Sequence, residues 1–285
     1  MTTKVVSNDR PVPLRWKSVL MLVIVTVAGG AMFAWPLIIT KPMNTSSGIA
    51  DAPLMFMVIL ILLVFLVMAQ ISEQGMDAKT LAILGVLSAV NAALRPLGAG
   101  TAGVETVFFV LVLAGRVFGP GFGFALGCTS LFASALLTAG VGPWMPFQML
   151  ASAWIGMGAG LLPDKLFGHR IRGKAEVGML ILYGIVVAYF FGAIMNLWFW
   201  PFIAGPATGD GPDIAYIPGG PLLENLTRFG WFTLITSTAV WDTGRAITNT
   251  VLLALVGSPL LAVFRRTVRR AHFNPVIQFN SFVID

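Results

Sequence analysis

Residues 119–163 read GPGFGFALGCTSLFASALLTAGVGPWMPFQMLASAWIGMGAGLLP and contain no charged side chain. Two apolar runs of about membrane-spanning length flank a Gly/Pro-rich turn at residues 140–143. Small residues recur at every fourth position, such as Ser130 and Ser134 on the first run and Gly156 and Gly160 on the second. Such spacing lets helix backbones approach closely inside a membrane. The segment therefore predicts a transmembrane hairpin that packs tightly against other helices.

The composition of the whole chain extends this prediction. Of 285 residues, 57% are hydrophobic and 11% are charged, which is more apolar sequence than one soluble core can bury. The chain contains one cysteine, Cys128, and two histidines, His169 and His272, so neither disulfides nor a metal site is expected, and no motif indicates a cofactor. We predict an all-α integral membrane protein.

Six further apolar segments lie outside the hairpin and bring the predicted count to eight transmembrane helices. They cover residues 18–39, 53–71, 80–94, 106–118, 177–203 and 227–257. The segments at 80–94 and 106–118 are too short to cross lipid comfortably unless protein surrounds them. We divide the chain into two additional N-terminal helices (1–77), a six-helix core (78–270) and a C-terminal tail (271–285).

The basic residues test this topology. With eight spans, fourteen basic residues lie on the side of the termini and three, Lys41, Arg95 and Arg228, lie on the other. The fourteen are Lys4, Arg10, Arg15, Lys17, Lys79, Arg116, Lys165, Arg170, Arg172, Lys174, Arg265, Arg266, Arg269 and Arg270. Cytoplasmic loops carry the excess of Lys and Arg, so both termini are predicted to be cytoplasmic. This asymmetry explains the net charge of +6 without nucleic acid as a partner.

Charged residues inside the last apolar segment need a partner or a function, since a charge in hydrocarbon costs at least ~2.5 kcal/mol. The sequence TAVWDTGRAITN places Asp242, Arg245 and Asn249 on one helix face, where Asp242 and Arg245 can form an ion pair. Two interpretations remain open. The pair locks the helix against its neighbours, or Asp242 and Trp241 belong to a binding cavity.

A second group of polar and aromatic residues lies near the predicted outer ends of the last six segments. It comprises Asn91, Arg95, Glu105, Trp144, Gln148, Asn196, Trp198, Asn225 and Trp231. Amphipathic aromatic rings with a few polar groups are typical of a pocket for a partly apolar small molecule. Interhelical hydrogen bonding and interfacial anchoring are the alternatives. We expect the last six spans to enclose a solute chamber that opens outward.

Catalytic and nucleotide-binding motifs are absent from the sequence: it has no HExxH, GxSxG or P-loop, and the glycines at 119, 121 and 123 open a span rather than follow a strand. A membrane enzyme acting on a lipid or prenyl substrate stays open as an alternative, with Asp242, Glu105 and Arg245 as acid, base and anion holder. A secondary transporter is disfavoured because the two halves show no internal repeat.

Several motifs resemble the substrate-binding S components of energy-coupling factor (ECF) vitamin transporters. They are DAKTLAILGVLSAVNAALRPLG, GRVFGPGFGFALG, GPWMPFQM and WDTGRAITN, of which GPWMPFQM is the most specific, and the resemblance covers about residues 78–270. The sequence looks closest to an actinobacterial-type group near the cobalamin-related CbrT proteins. The resemblance implies a six-helix core, preceded here by two extra helices.

The resemblance also implies a function and partners. Such a protein is not an enzyme: it binds a vitamin or related micronutrient from outside and lacks its own ATPase. A transmembrane coupling protein (T component) and two ABC ATPases complete the importer in the bacterial cell membrane. By motif, the coupling protein would contact Gly85, Ala89 and Ala93. Among possible substrates, the aromatic lining favours a cobalamin-like compound or another large heterocycle, while a deazapurine or a lipid-like precursor stays open.

Overall fold

The structure is a computed structural model, and it describes residues 16–38, 57–69, 76, 78–98, 102–203 and 213–271. The outer loop predicted after the first span and the tail after residue 271 lie outside these residues, so the predictions made for them stay predictions. The described helices before the central hairpin are α1 (Trp16–Phe33), α2 (Trp35–Ile38), α3 (Met57–Ala69), α4 (Ala78–Leu94) and α5 (Phe108–Phe118). A 3-10 turn, Arg95–Leu97, follows α4.

The central hairpin is formed by α6 (Pro120–Leu137) and α7 (Met145–Leu161). A short β-hairpin follows, in which the two-residue strands β1 (Lys165–Leu166) and β2 (His169–Arg170) pair with each other. It leads into α8 (Lys174–Ile203). One continuous helical segment is the last described part of the chain. Its parts are α9 (Leu222–Thr233), a π-helical segment (Leu234–Asp242) and α10 (Thr243–Ala271). Apart from the short hairpin, the described residues agree with the all-α prediction.

Five helical segments in the described part of the chain are long and apolar enough to cross a membrane. They are Trp16–Phe33, Ala78–Leu97, Pro120–Leu137, Lys174–Phe202 and Leu222–Arg270. The helices α3 and α5 are apolar but shorter. The structure thus supports a multi-pass membrane protein, while the count of eight spans stays a prediction.

The hairpin holds the centre of the fold because α6 and α7 pack backbone to backbone. A Cβ atom added at Gly156 would overlap the carbonyl group of Gly123, and one added at Gly123 would overlap that of Gly156. The small-residue spacing in the sequence therefore marks a real helix contact. All eleven residues of α5 are buried, and α5 packs against α6, α7, α8 and α10. Its shortness is tolerated because protein surrounds it.

The first helices pack on the N-terminal end of α7 and the C-terminal end of α8. The ring of Phe33 lies 5.1 Å from that of Phe147, and the indole N–H of Trp35 donates to the carbonyl oxygen of Trp198 at 3.3 Å. The hydroxyl of Tyr216 donates to the carbonyl oxygen of Pro36 at 2.9 Å. The N-terminal helices are therefore joined to the core by specific aromatic and hydrogen-bonded contacts.

Candidate functional site

The site centres on the guanidinium of Arg245, at the start of α10. Its Nη1 donates to Oδ1 of Asp242 at 2.7 Å and to the carbonyl oxygen of Ala188 at 3.2 Å, while Nε donates to Oε2 of Glu105 at 2.6 Å. The Asp242 pair is the one that the sequence predicted. Glu105 adds a second carboxylate, so this three-residue group carries a formal charge of −1.

Aromatic rings cover the same guanidinium. Its central carbon lies 4.9 Å from the ring centroid of Phe191 and 5.6 Å from that of Phe108. The side chain of Arg245 is 10% exposed and that of Asp242 is 1% exposed, whereas that of Glu105 is 21% exposed. Because the pairs are shielded from water, their mutual attraction is screened less than on a surface. Glu105 is the member of the group most accessible to a solute.

The π-helical segment positions Asp242. The run TSTAVWD is rich in hydroxyl side chains, which satisfy backbone carbonyls of a helix locally. The hydroxyl of Thr243 donates to the carbonyl oxygen of Thr238 at 2.7 Å, and that of Ser237 donates to Oδ2 of Asp242 at 2.9 Å. Both carboxylate oxygens of Asp242 are thus engaged. A π-helical turn within a longer helix is frequent at functional sites.

The loop between α4 and α5 positions Glu105. Gly103 has φ +76°, a left-handed conformation that glycine adopts without strain, and it lies directly against the carbonyl group of Trp241. The hydroxyl of Thr106 donates to the carbonyl oxygen of Leu94 at 2.6 Å. This loop therefore lies against the end of the π-helical segment and presents Glu105 to Arg245.

A cavity of about 300 Å³ adjoins this network, on the flank between α8 and the π-helical segment. We call it the outer cavity. It is lined by Phe191, Gly192, Met195, Asn196, Phe232, Thr236, Ser237, Trp241 and Arg245. The side-chain nitrogen of Asn196 is buried and has no hydrogen-bond partner among the described residues. An apolar wall with one guanidinium and one unpaired amide suits a small, partly polar ring system, and the volume is at the lower end of ligand pockets.

The structure brings together five of the predicted site residues. Asn196, Trp241 and Arg245 line the outer cavity, and Asp242 and Glu105 bind Arg245. Sequence analysis missed the remaining lining residues, including Phe191 and Ser237. The run of Ser and Thr before Trp241 was the available signal for Ser237, but nothing in the sequence assigned α8 as its neighbour.

Two further predicted site residues, Arg95 and Gln148, connect to this group through Glu105. Nη2 of Arg95 donates to Oε1 of Gln148 at 2.9 Å, and Glu105 interacts electrostatically with Arg95. Asn91 lies deeper, where its amide nitrogen donates to the hydroxyl of Ser130 at 3.0 Å. Arg95, Gln148 and Asn91 therefore join α4 to the hairpin and do not line the outer cavity.

The other four predicted residues lie elsewhere. Trp144 and Trp231 are 42% and 45% exposed on the surface. Trp198 stacks on Phe147 with centroids 4.5 Å apart, beneath the N-terminal helices. Asn225 binds both the N–H and the carbonyl of Ile217, which fixes the loop before α9. These positions indicate anchoring and packing roles.

The interior of the core differs from the expected chamber. Because α5 is buried on every side, side chains fill the centre of the last six spans in the described structure. The outer cavity lies to one side of that centre. Whether the interior is filled or hollow depends on how the side chains pack, and the sequence does not show this packing.

The predicted coupling face lies on the surface of α4. Gly85, Ala89 and Ala93 are all exposed, and a Cβ atom added at Gly85 would meet no atom within 4 Å. No described residue of the N-terminal helices therefore covers Gly85. Beside this face, a groove of about 330 Å³ runs between α4 and α10 and is lined by apolar side chains such as Val86 and Phe264.

One of the comparisons with known proteins identifies a family. The model of the family described as "ECF transporter, substrate-specific component" matches residues 79–256, from α4 to about the middle of α10. No curated protein and no solved structure matches the chain.

Proposed function

Because the chain belongs to the substrate-specific components of ECF transporters, we propose that the outer cavity binds the transported solute and that the solute is a small vitamin or a related micronutrient. The single observation that carries this proposal is the meeting of Asn196, Trp241 and Arg245 at one cavity. The buried amide nitrogen of Asn196, which has no partner among the described residues, is a group that a polar heterocycle can satisfy.

The ligand class follows from these groups. Trp241 and Phe191 offer flat apolar faces, while Asn196 offers a hydrogen-bond donor. The cobalamin-like substrate expected from the resemblance stays a prediction. A cavity of about 300 Å³ supports a one- or two-ring compound better than a corrin, which is far larger.

The enzyme alternative receives less support. The family is one of transport substrate-binding subunits. Glu105 and Asp242 both bind the guanidinium of Arg245, and neither carboxylate lines the outer cavity. Both groups are therefore committed to one ion network and are not presented to a substrate as an acid–base pair.

We also propose the orientation and the partners. The positive-inside asymmetry supports cytoplasmic termini in a bacterial cell membrane. The exposed face of Gly85, Ala89 and Ala93 supports docking of a coupling protein that acts with two ABC ATPases. In this arrangement the outer cavity faces the extracellular side, where the solute is captured without ATP.

Tryptophan fluorescence tests the site. Trp241 and Trp144 are equally exposed, at 41% and 42%, but only Trp241 lines the outer cavity. Purified protein is titrated with individual vitamins in the absence of ATP. We expect one compound to quench the emission of the wild type and of Trp144→Phe, and to quench that of Trp241→Phe much less. Equal quenching in both variants would place the ligand elsewhere, and no response to any vitamin would count against the function.

A further inference from the structure

A second and larger cavity lies at the opposite end of the bundle from the outer cavity. Its volume is about 600 Å³, and it is bounded by the end of α5, the β1–β2 hairpin, the start of α8 and the last turns of α10. We call it the basic cavity. Two valines contribute to its wall. Six of its lining residues are cationic and two are acidic, so its formal charge is +4.

A buried ion network forms the floor of the basic cavity. Glu176 is fully buried and accepts from Nε of Arg116 at 2.8 Å and from Nη2 of Arg265 at 2.6 Å. Arg116 also donates to the carbonyl oxygen of Leu162 at 2.9 Å and pairs with Asp164 at 3.0 Å. These contacts fix two guanidinium groups at the base of the cavity and neutralise both acidic residues.

The rim of the cavity carries cations that the network does not neutralise. Lys165, Arg172 and Arg269 line the cavity, and no carboxylate among the described residues pairs with any of them. Surplus Lys and Arg is common on cytoplasmic loops, where it is usually spread over the surface. Here the unpaired cations line one concavity, and the ion network holds its floor in place. Their convergence creates a strong local field that attracts an anion.

We propose that the basic cavity binds a phosphate group, carried either by an anionic phospholipid of the adjacent leaflet or by a soluble phosphate compound. Guanidinium groups bind phosphate oxygens through paired hydrogen bonds, and basic pockets between transmembrane helices bind anionic head groups. Val117 and Val268 supply an apolar wall beside the cations, which suits the first carbons of a lipid's acyl chains. This inference is independent of the solute bound at the outer cavity.

The experiment compares two charge-matched double variants of the full-length protein in neutral detergent. Arg172→Gln with Arg269→Gln removes two rim cations. Arg266→Gln with Arg270→Gln also removes two positive charges, from residues that lie near Arg269 on α10 but do not line the cavity. Binding of phosphatidylglycerol, phosphatidylcholine and pyrophosphate is measured by native mass spectrometry and by thermal shift. None of the four arginines forms an ion pair with a described residue, so we expect both variants to fold. Their melting temperatures test this expectation.

We expect the wild type to bind phosphatidylglycerol in preference to phosphatidylcholine, and the rim variant to bind it about 30-fold more weakly. The control variant should keep most of the binding. Retention of phosphatidylglycerol in the presence of pyrophosphate identifies a lipid site, whereas binding of pyrophosphate alone, lost in the rim variant, identifies a soluble ligand. Equal losses in the two variants, or no binding of either phosphate compound, would overturn the proposal.

Discussion

Arg245 and Glu105 lie 140 residues apart in sequence, yet Nε of Arg245 donates to Oε2 of Glu105 at 2.6 Å. The contact joins the start of α10 to the loop between α4 and α5. Through Arg95 and Gln148 the same loop reaches α7. The loop, the π-helical segment, α8 and α10 therefore meet at one buried guanidinium beside the outer cavity.

Replacement of this guanidinium should destabilise the protein strongly. Arg245→Gln leaves two carboxylates without their cation in a poorly hydrated site, and removal of one partner from a buried pair costs about 3–5 kcal/mol. We expect a large fall in melting temperature in detergent. Arg266→Gln, which removes an exposed arginine of the same helix, is the control and should change stability by less than about 0.5 kcal/mol. Similar melting temperatures for the two variants would contradict a structural role for the network.

Asn196→Leu should separate binding from stability. The side-chain nitrogen of Asn196 is buried without a partner, so its removal relieves a desolvation cost of about 1–3 kcal/mol and should not lower the melting temperature. Solute affinity should fall about tenfold because a donor is lost. Asn249→Leu provides the contrast. Its amide donates to the carbonyl oxygen of Gly184 at 3.1 Å, so this variant should lose stability and keep its affinity. Thermal unfolding with and without solute measures both effects.

Gly103→Ala should disrupt the loop that presents Glu105. The position has φ +76°, and a Cβ atom there would overlap the backbone of Trp241. Gly168 is the matched control because its φ is +81° and a Cβ atom there would meet nothing within 4 Å. Gly168→Ala should cost only the conformational strain, about 1 kcal/mol. Gly103→Ala should cost more and weaken solute binding as well. Equal melting temperatures and solute affinities for Gly103→Ala and Gly168→Ala would show that the contact of Gly103 with Trp241 does not affect stability or binding.

Gly85→Leu should impair assembly without affecting the protein itself. Gly85 is exposed on α4 and has open space around it, so a leucine fits without a clash. We expect unchanged stability and solute binding but loss of the coupling protein and ATPases in a pull-down. Gly178→Leu on α8, which is exposed and equally unobstructed, is the control and should retain the partners. Normal assembly of Gly85→Leu would remove this face from the proposed contact.

Acid should loosen the loop before α9. The backbone N–H of Ala215 donates to Asp213, and Arg228 pairs with the same carboxyl group; both contacts lower its pKa. A lowered pKa stabilises the folded state above the unfolded value of about 3.9, and this stability is lost as the pH falls through the folded pKa. Proteolysis of the loop should therefore increase below about pH 4 in the wild type. In Asp213→Asn it should be high already at pH 7 and change little with acid.

The sequence predicted those features that depend on spacing within one segment. The close packing of Gly156 and the pairing of Asp242 with Arg245 follow from residues three or four positions apart on one helix. Contacts between distant segments were not predictable in this way. Periodicity shows which face of a helix is small or polar, but it does not show which helix lies opposite. For this reason Glu105 had no assigned partner, and the packed centre around α5 and the convergence at the basic cavity were missed.

The helices α8 and α10 are tied to each other at two points. Near the outer cavity Arg245, at the start of α10, donates to the carbonyl oxygen of Ala188 in the middle of α8, and at the basic cavity Arg265 holds Glu176 near the start of α8. The two partners on α8 are 12 residues apart, about 18 Å along a helix. Sliding of one helix along the other must therefore break both ties together, so we expect the two helices to move as a rigid unit.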